Sequence, residues 1–209
     1  EQLIDLGTLG GSWSRANAIN AAGAIVGTSA VVAAQGQAEN FHAFVWQGGQ
    51  ITDLGTLGGS TSLAKAINVD GVVVGLSQID GDDAFNGFMW HSGVMTSLGT
   101  LGGPGSSASD INDAGVIAGD ADLVRLDENG FNEFHAAVVQ DGQITDLGTL
   151  GGKFSSSEAI NDQGAVVGWS ETKQTDFIGN RIEHAFVAGP GGRMINLNDV
   201  INDPRWTLH

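Results

Sequence analysis

A short motif that recurs along the chain constrains its fold more than any other feature. The heptad Asp-Leu-Gly-Thr-Leu-Gly-Gly begins at Asp5, Asp53 and Asp146, and a variant with serine in first place begins at Ser97. A weaker copy starts at Asn196, so successive copies lie 48, 44, 49 and 50 residues apart. Such a period indicates an array of similar supersecondary units. We therefore predict one repeat domain over residues 1–209, with units 5–52, 53–96, 97–145 and 146–195 and a partial unit 196–209.

Each repeat unit contains further anchors that predict four antiparallel strands. The Asn of an Ile-Asn-x-x-Gly motif lies 15 residues after the start of every full heptad. Asn and Gly at these positions are typical of a tight hairpin with a bulge. In the first unit this hairpin joins strand one (residues 14–19) to strand two (residues 24–28). A third strand (residues 44–46) precedes Gly48-Gly49, which suits a two-residue hairpin, and a fourth runs into the next heptad.

The predicted fold class is an all-β propeller of four full blades and an incomplete fifth. Four short antiparallel strands in about 45 residues are the period of a propeller blade. Small residues such as Ala16 and Ala18 suit a crowded innermost strand. A β-solenoid and a β-prism-like array are the alternatives. Because residues 206–209 begin a further strand, we expect a longer natural chain, a closed four-bladed ring, or self-association that completes the fifth blade.

Composition excludes several functional classes. The chain carries 24 acidic and 8 basic side chains, a net charge of −16. Nucleic acids and anionic membranes are therefore not expected partners, because phosphate binding needs clustered Lys and Arg. With no Cys there is no disulfide framework or thiolate metal site. No apolar run is long enough to predict a membrane-spanning helix.

A His-Ala-Phe tripeptide, 11 or 12 residues before the next heptad, gives the sequence its family resemblance. It stands at His42 and His184, in weaker form at His135, and is replaced by Asn-Gly-Phe at Asn86. With these motifs the chain resembles, over residues 5–198, the bacterial extracellular HAF-repeat family. The resemblance implies a secreted or cell-surface bacterial protein whose signal has been removed. It implies no catalytic residues.

The recurring histidines have two interpretations. Three imidazoles at one repeat position could hold a metal ion. Alternatively, each imidazole ties the start of its strand to a neighbouring loop by a hydrogen bond. Asn86 in the second unit favours the hydrogen bond, because an amide is a poor transition-metal ligand. The glycine-rich heptad lacks the Lys-Ser/Thr of a P-loop, so we interpret it as a connection rather than a phosphate site.

Repeat length varies mainly between strands two and three. The four variable segments, residues 28–41, 76–85, 120–134 and 169–183, contain 12 of the 24 acidic residues and three basic residues. In a propeller they would emerge on one face, and we predict that this acidic face binds a protein, a glycan or a cation. The alternative is a solvated acidic surface that keeps the chain soluble. The oxygen density that calcium favours is found at Asp80, Asp82, Asp83, Asp120 and Asp122, although no EF-hand spacing is present.

Other predicted ligand contacts are two tryptophans and three acids. Trp13, in a connection between units, and Trp169, at the start of the fourth variable segment, could stack on a sugar ring. Packing is the alternative for both. The acids Asp127, Glu128 and Glu133 belong to the third variable segment.

Asp110 stands at a strand-one position that carries Ala in the other three units. A carboxyl there could face a central channel, as in five-bladed glycoside hydrolases, but catalysis needs a second carboxyl about 5 to 9 Å away. The sequence identifies no such partner. We therefore expect a secreted, non-catalytic scaffold or binding module with no cofactor other than calcium. A carbohydrate-active enzyme that uses channel carboxylates and a calcium-dependent adhesion module are the alternatives.

Overall fold

The structure, a computed structural model, describes residues 3–32, 39–81, 83–190 and 192–200. Strands dominate these residues, and the helix found among them, α1 (Leu197–Val200), has four residues. No helix in this part of the chain is long and apolar enough to cross a membrane. The chain divides into two compact units, residues 1–98 (unit 1) and 99–209 (unit 2), which are described separately.

Unit 1 consists of two antiparallel sheets in which each strand pairs with the next along the chain. The first sheet contains β1 (Gly10–Ile19), β2 (Ile25–Val31), β3 (Phe41–Gln47) and β4 (Gln50–Asp53). The second contains β5 (Gly58–Ile67), β6 (Val73–Ile79), β7 (Phe85–His91) and β8 (Val94–Ser97).

Unit 2 repeats this topology in its own two sheets. The third sheet contains β9 (Gly102–Ile111), β10 (Ile117–Leu126), β11 (Asn132–Gln140) and β12 (Gln143–Gly148). The fourth contains β13 (Gly151–Ile160), β14 (Val166–Thr175), β15 (Arg181–Ala188) and β16 (Met194–Asn196). The predicted all-β architecture, with four antiparallel strands for each full repeat, is confirmed.

The predicted hairpin turns are present. In the first sheet Gly23 has a positive φ of 78° and its N–H donates to the Asn20 carbonyl oxygen over 3.0 Å. The Asn20 side chain fixes the same turn, because its Oδ1 accepts the N–H groups of Ala22 and Ala24. Between β3 and β4, Gly48 and Gly49 both have positive φ, as a two-residue hairpin of the favoured twist requires.

The sequence predicted that the heptad is a connection. In the structure its last two glycines also begin the first strand of each sheet. Leu9 forms a parallel bridge with Val31, and its N–H donates to Ser29 Oγ over 2.8 Å. A Cβ atom on Gly11 would overlap Ala30, so the glycine lets the chain run directly against β2. Trp13 therefore lies within β1, and its predicted place in a connection was wrong.

The period-two alternation predicted for strand one is interrupted by a bulge in each sheet. In the second sheet Ala64 pairs with Gly75, whereas Ala66 pairs with the adjacent residue Val74. Consecutive residues of β6 face opposite sides, so the two alanines do too. Both alanines are buried, and each serves a different face of the sheet.

The variable segments of unit 2 form strands over most of their length, where the sequence predicted loops. β10 and β14 each have ten residues, so Asp120, Asp122 and Trp169 lie in strands. The irregular connections shrink to residues 127–131 and 176–180. Each contains an Asp-x-x-Gly turn in which the Asp side chain accepts two main-chain N–H groups, so a tight turn lets both strands continue.

The core of each unit lies between its two sheets. In unit 1 the second sheet contributes Val73 and the fully buried Phe88, which pack with Val26 and Leu54 of the first sheet region. In unit 2 the corresponding cluster is built around the fully buried Phe186. The third position of the tripeptide is a fully buried Phe in three of the four repeats, at Phe44, Phe88 and Phe186.

Candidate functional site

The recurring histidine is paired with the first residue of the following heptad. Nδ1 of His42 lies 2.8 and 3.0 Å from the two carboxylate oxygens of Asp53. Nδ1 of His184 accepts a hydrogen bond from Asn196 Nδ2 over 2.8 Å. In the second sheet, where the imidazole is absent, Asn86 Nδ2 donates to an oxygen of the same heptad position over 3.2 Å. The predicted hydrogen bonds of the histidines are confirmed, but their partners are the ends of neighbouring strands, Asp53 in β4 and Asn196 in β16, where the sequence predicted a loop.

The heptad Asp also fixes the chain that follows it. Asp53 Oδ1 accepts the N–H of Gly55 over 2.7 Å. Burial alone would raise the pKa of the Asp53 carboxyl, but the hydrogen bonds from His42 and Gly55 and the charge of His42 outweigh it and lower that pKa. The ionised carboxylate therefore stabilises both the edge of its own sheet and the start of the next connection.

A serine of the first strand links neighbouring sheets within each unit. Ser155 of β13 accepts the N–H of Ala136 in β11 over 2.9 Å and donates to the carbonyl oxygen of Gly148 over 2.6 Å. In unit 1, Ser62 makes the equivalent bonds to Ala43 and Gly55. Both serines are fully buried, so these bonds satisfy polar groups that would otherwise be costly in a core.

The Asn of Ile-Asn-x-x-Gly performs two tasks with one side chain. Asn112 Oδ1 accepts the N–H of Val116 within its own turn over 2.9 Å. Its Nδ2 donates over 3.1 Å to the carbonyl oxygen of Asn161, the equivalent residue of the next sheet. Asn20 donates to the carbonyl oxygen of Asn68 in the same way in unit 1. The Asn side chain of this motif is therefore occupied by hydrogen bonds that hold its own turn and the next sheet.

Asp110 joins the two sheets of unit 2. Its Oδ1 accepts the N–H of Ile111 and its Oδ2 accepts the N–H of Ile160 in β13, each over 2.9 Å. These bonds give the carboxylate a structural role. The proposal that Asp110 is catalytic stays an untested prediction.

Two predicted calcium ligands of unit 2 lie beside hydroxyl and main-chain donors. Asp120 Oδ2 accepts the hydroxyls of Ser107 over 2.7 Å and of Ser156 over 3.1 Å. Asp122 Oδ2 accepts the N–H of Gly105 over 3.0 Å. Burial raises the pKa of Asp122, and the nearby Asp120 charge raises it further, against the lowering effect of the Gly105 hydrogen bond.

The other predicted calcium ligands belong to unit 1. Asp80 and Asp83 are exposed in the connection between β6 and β7, and Asp82 lies outside the described residues. Among the described residues no cluster of three or more His, Asp or Glu side chains could hold a metal ion. Calcium binding stays a prediction.

An aromatic cluster adjoins the acidic strand β10. The ring of Phe134, on β11, lies 4.9 Å from Phe154 and 6.0 Å from Trp169, measured between centroids. The predicted ligand contact Trp169 is thus packed edge-on against Phe134. Trp13 of unit 1 is 42% exposed, and its ring lies 5.9 Å from Phe41.

The three predicted acidic contacts of unit 2 surround the end of one hairpin. Asp127 accepts main-chain N–H groups in the turn between β10 and β11, and these bonds lower its carboxyl pKa. Glu128 forms an ion pair with Lys153 of β13. Glu133 Oε2 lies 3.3 Å from Arg125 Nε across the hairpin.

Large apolar side chains project from the ends of both long hairpins of unit 2. Phe177 is 98% exposed and Phe131 is 69% exposed. We call this set the hairpin surface; it comprises Val124, Leu126, Phe131, Phe177 and Ile178. The corresponding strands of unit 1 have seven residues, against eight to ten in unit 2, so the longer strands carry these side chains outward.

Sequence reasoning overlooked the hairpin surface because it counted charges in the variable segments. The available signal was the pair Phe177-Ile178 inside an Asp-x-x-Gly turn, where apolar residues have no core to enter. Phe134 and Phe154 were overlooked as well, because their contact with Trp169 joins residues of different strands.

No protein-family model matches the chain, and comparison with curated proteins finds no significant match. The resemblance to the HAF-repeat family therefore rests on the motif residues themselves.

Proposed function

We propose that the chain is an extracellular, non-catalytic binding module of the HAF-repeat type, with its four sheets as propeller blades. Its partner is another protein, held by the hairpin surface of unit 2. The observation that carries this proposal is the 98% exposure of Phe177 at the end of a hairpin whose last strand pair joins Thr175 and Arg181. Several large exposed apolar side chains on one unit are typical of interaction sites.

The surrounding charge defines the chemistry of the partner. Segment 120–134, which forms the first of these hairpins, contains five acidic residues and one basic residue. Segment 169–183, which forms the second hairpin, adds three acidic and two basic residues, so the two segments together carry a net negative charge. A complementary surface would carry an apolar centre with Lys and Arg at its rim.

The experiment uses a photo-crosslinking amino acid placed singly at positions 131, 177 and 94 of the full chain. Val94 is 64% exposed in unit 1, outside the hairpin surface, and serves as the control. Each variant is incubated with the extracellular fraction of the source bacterium. We expect one protein to be crosslinked from both 131 and 177 and not from 94.

Purification of that protein permits a quantitative test. Phe177→Ser should weaken its binding at least tenfold, whereas Val94→Ser should leave the affinity within a factor of two. Binding should also weaken as salt is raised, because the carboxylate rim attracts a basic partner. The proposal would be contradicted if the same proteins were crosslinked from positions 131, 177 and 94.

A further inference from the structure

Unit 2 contains a cavity of about 390 Å³ at the opposite end of its sheets from the hairpin surface. It lies where the Ile-Asn-x-x-Gly turns of the third and fourth sheets meet the β11–β12 pair. A strand the length of β10 separates it from the hairpin surface by roughly 30 Å. Its volume is within the range of small-molecule sites, and no repeat motif or proposed contact explains it.

One part of the cavity wall is apolar. Val116, Val138 and Leu147 come from the third sheet, and Pro190 comes from the outer turn of the fourth. Val116, Val138 and Leu147 also belong to the core of unit 2 or pack against it, so this wall is held in place by the interior. A preformed apolar wall can receive the C–H face of a ring without reorganisation.

The remaining wall is polar and bears few charges. The third sheet contributes the Gln140 amide and the Thr145 hydroxyl, and the turn after β13 contributes Asp162 and Gln163. Asp162 Oδ1 already accepts the N–H of Asp113 over 3.1 Å, which fixes the carboxylate at the cavity edge. Amide, hydroxyl and carboxylate groups together can donate to and accept from hydroxyl groups.

The chemistry of the lining residues favours one class of ligand. No Lys, Arg or His is among the described lining residues, so nothing there neutralises an anion. Asp162 is the one carboxylate in the described lining, which is too few for a divalent cation. An apolar wall facing amides and hydroxyls suits a neutral sugar ring, which has one C–H face and a rim of hydroxyl groups. We propose that this cavity is a binding site for a neutral carbohydrate of one or two rings.

A sequence difference accompanies the cavity. The interval from the His-Ala-Phe position to the next heptad is 12 residues in the fourth repeat and 11 in the others. The added residue falls in the outer turn of the fourth sheet, where Gly189, Pro190 and Gly192 line the cavity. The first sheet has the two-residue turn Gly48-Gly49 at this position. The longer turn supplies the proline wall that the shorter turn lacks.

The test measures binding of four probes to the full chain: D-glucose, D-galactose, N-acetyl-D-glucosamine and cellobiose. Saturation-transfer NMR identifies which probe binds, and titration gives its dissociation constant. We expect at least one probe to bind with a dissociation constant on the order of 1 mM. Putrescine is included as a cationic probe and should bind at least tenfold more weakly.

The chain offers a matched control. Gln140 and Thr145 have repeat equivalents, Gln47 and Thr52, which are exposed in unit 1. The double variant Gln140→Ala/Thr145→Val should weaken sugar binding at least fivefold, whereas Gln47→Ala/Thr52→Val should change it less than twofold. All four side chains are exposed, so both variants should fold, as circular dichroism will verify.

Three outcomes would overturn the proposal: no saturable binding of any sugar, equal effects of the two double variants, or putrescine binding as tightly as the sugars. None of these three outcomes would affect the proposed protein-binding role of the hairpin surface, because that role depends on Phe131 and Phe177 at the other end of the sheets.

Discussion

Nδ1 of His135 lies 2.8 and 2.9 Å from the two carboxylate oxygens of Asp146, eleven residues later in the chain. His42 and Asp53 form the same pair in unit 1. In the second repeat both positions change, to an amide and a hydroxyl that still share a hydrogen bond. In the fourth repeat His184 is kept while Asn196 replaces the acid, and the hydrogen bond is kept as well. The two residues therefore behave as one structural element.

The first prediction concerns this pair. His135→Ala should lower the free energy of unfolding by about 1 to 2 kcal/mol, because Asp146 loses a donor where the imidazole is only 10% exposed. The double variant His135→Asn/Asp146→Ser, which copies the second repeat, should lose less than the sum of its single variants. Urea unfolding followed by tryptophan fluorescence measures all three. A coupling energy indistinguishable from zero would show that the pair is not a unit.

The second prediction is a pH dependence. The pKa of Asp53 is lower in the folded chain than its ordinary value of 3.8, so its ionised form stabilises the fold above about pH 4. This contribution is lost as the pH falls through the folded-state pKa. Asp53→Asn should therefore be less stable at pH 6 and should lose less stability between pH 6 and 3 than the unmodified chain. Asp70→Asn, in an exposed turn, is the control and should leave the acid profile unchanged.

The third prediction concerns the glycine at the third position of each second strand. A Cβ atom on Gly119 would overlap the main-chain oxygen of Ser107 in the paired strand. Gly119→Ala should therefore cost about 2 kcal/mol or more, because the backbone of β9 cannot move without breaking its pairing. Gly189→Ala is a matched control, since no atom lies within 4 Å of its added Cβ. Equal midpoints of urea unfolding for the two variants would refute this explanation.

Much of the fold could be predicted from spacing alone, because turns have strong local signals. Asn20 and Gly23 indicate a bend by their own chemistry, and Gly48-Gly49 requires positive φ in a two-residue hairpin. The bulge between Ala64 and Ala66 could not be predicted in this way, since it depends on the register with β6. No residue type marks this bulge, and the period-two alternation of the sequence continues across it.

The candidate sites were less predictable, because they depend on neighbouring sheets. Asp120 looked like a calcium ligand from its sequence neighbours, but Ser156, 36 residues away, donates to it. Trp169 looked like a loop residue, yet it packs on Phe134. Cross-sheet partners of this kind become visible only when two repeats are placed side by side.

The fourth prediction tests calcium. Asp120 already accepts two serine hydroxyls and Asp122 accepts the N–H of Gly105, so both carboxylates would lose existing hydrogen bonds on binding a cation. Addition of about 5 mM calcium, above the roughly 0.1 to 1 mM dissociation constants of extracellular modules, should leave the melting temperature unchanged, as should a chelator. A rise of several degrees that Asp120→Asn abolishes would instead favour a calcium-dependent adhesion module.

The side-chain amide of Asn20 donates a hydrogen bond to the carbonyl oxygen of Asn68, and that of Asn112 donates to Asn161. In both cases the donor belongs to the earlier sheet and the acceptor to the later one. Within each unit, the motif of the earlier sheet therefore supplies a side-chain amide and the motif of the later sheet supplies a carbonyl oxygen. Duplication of a segment that encodes two sheets would copy the donor and its acceptor together.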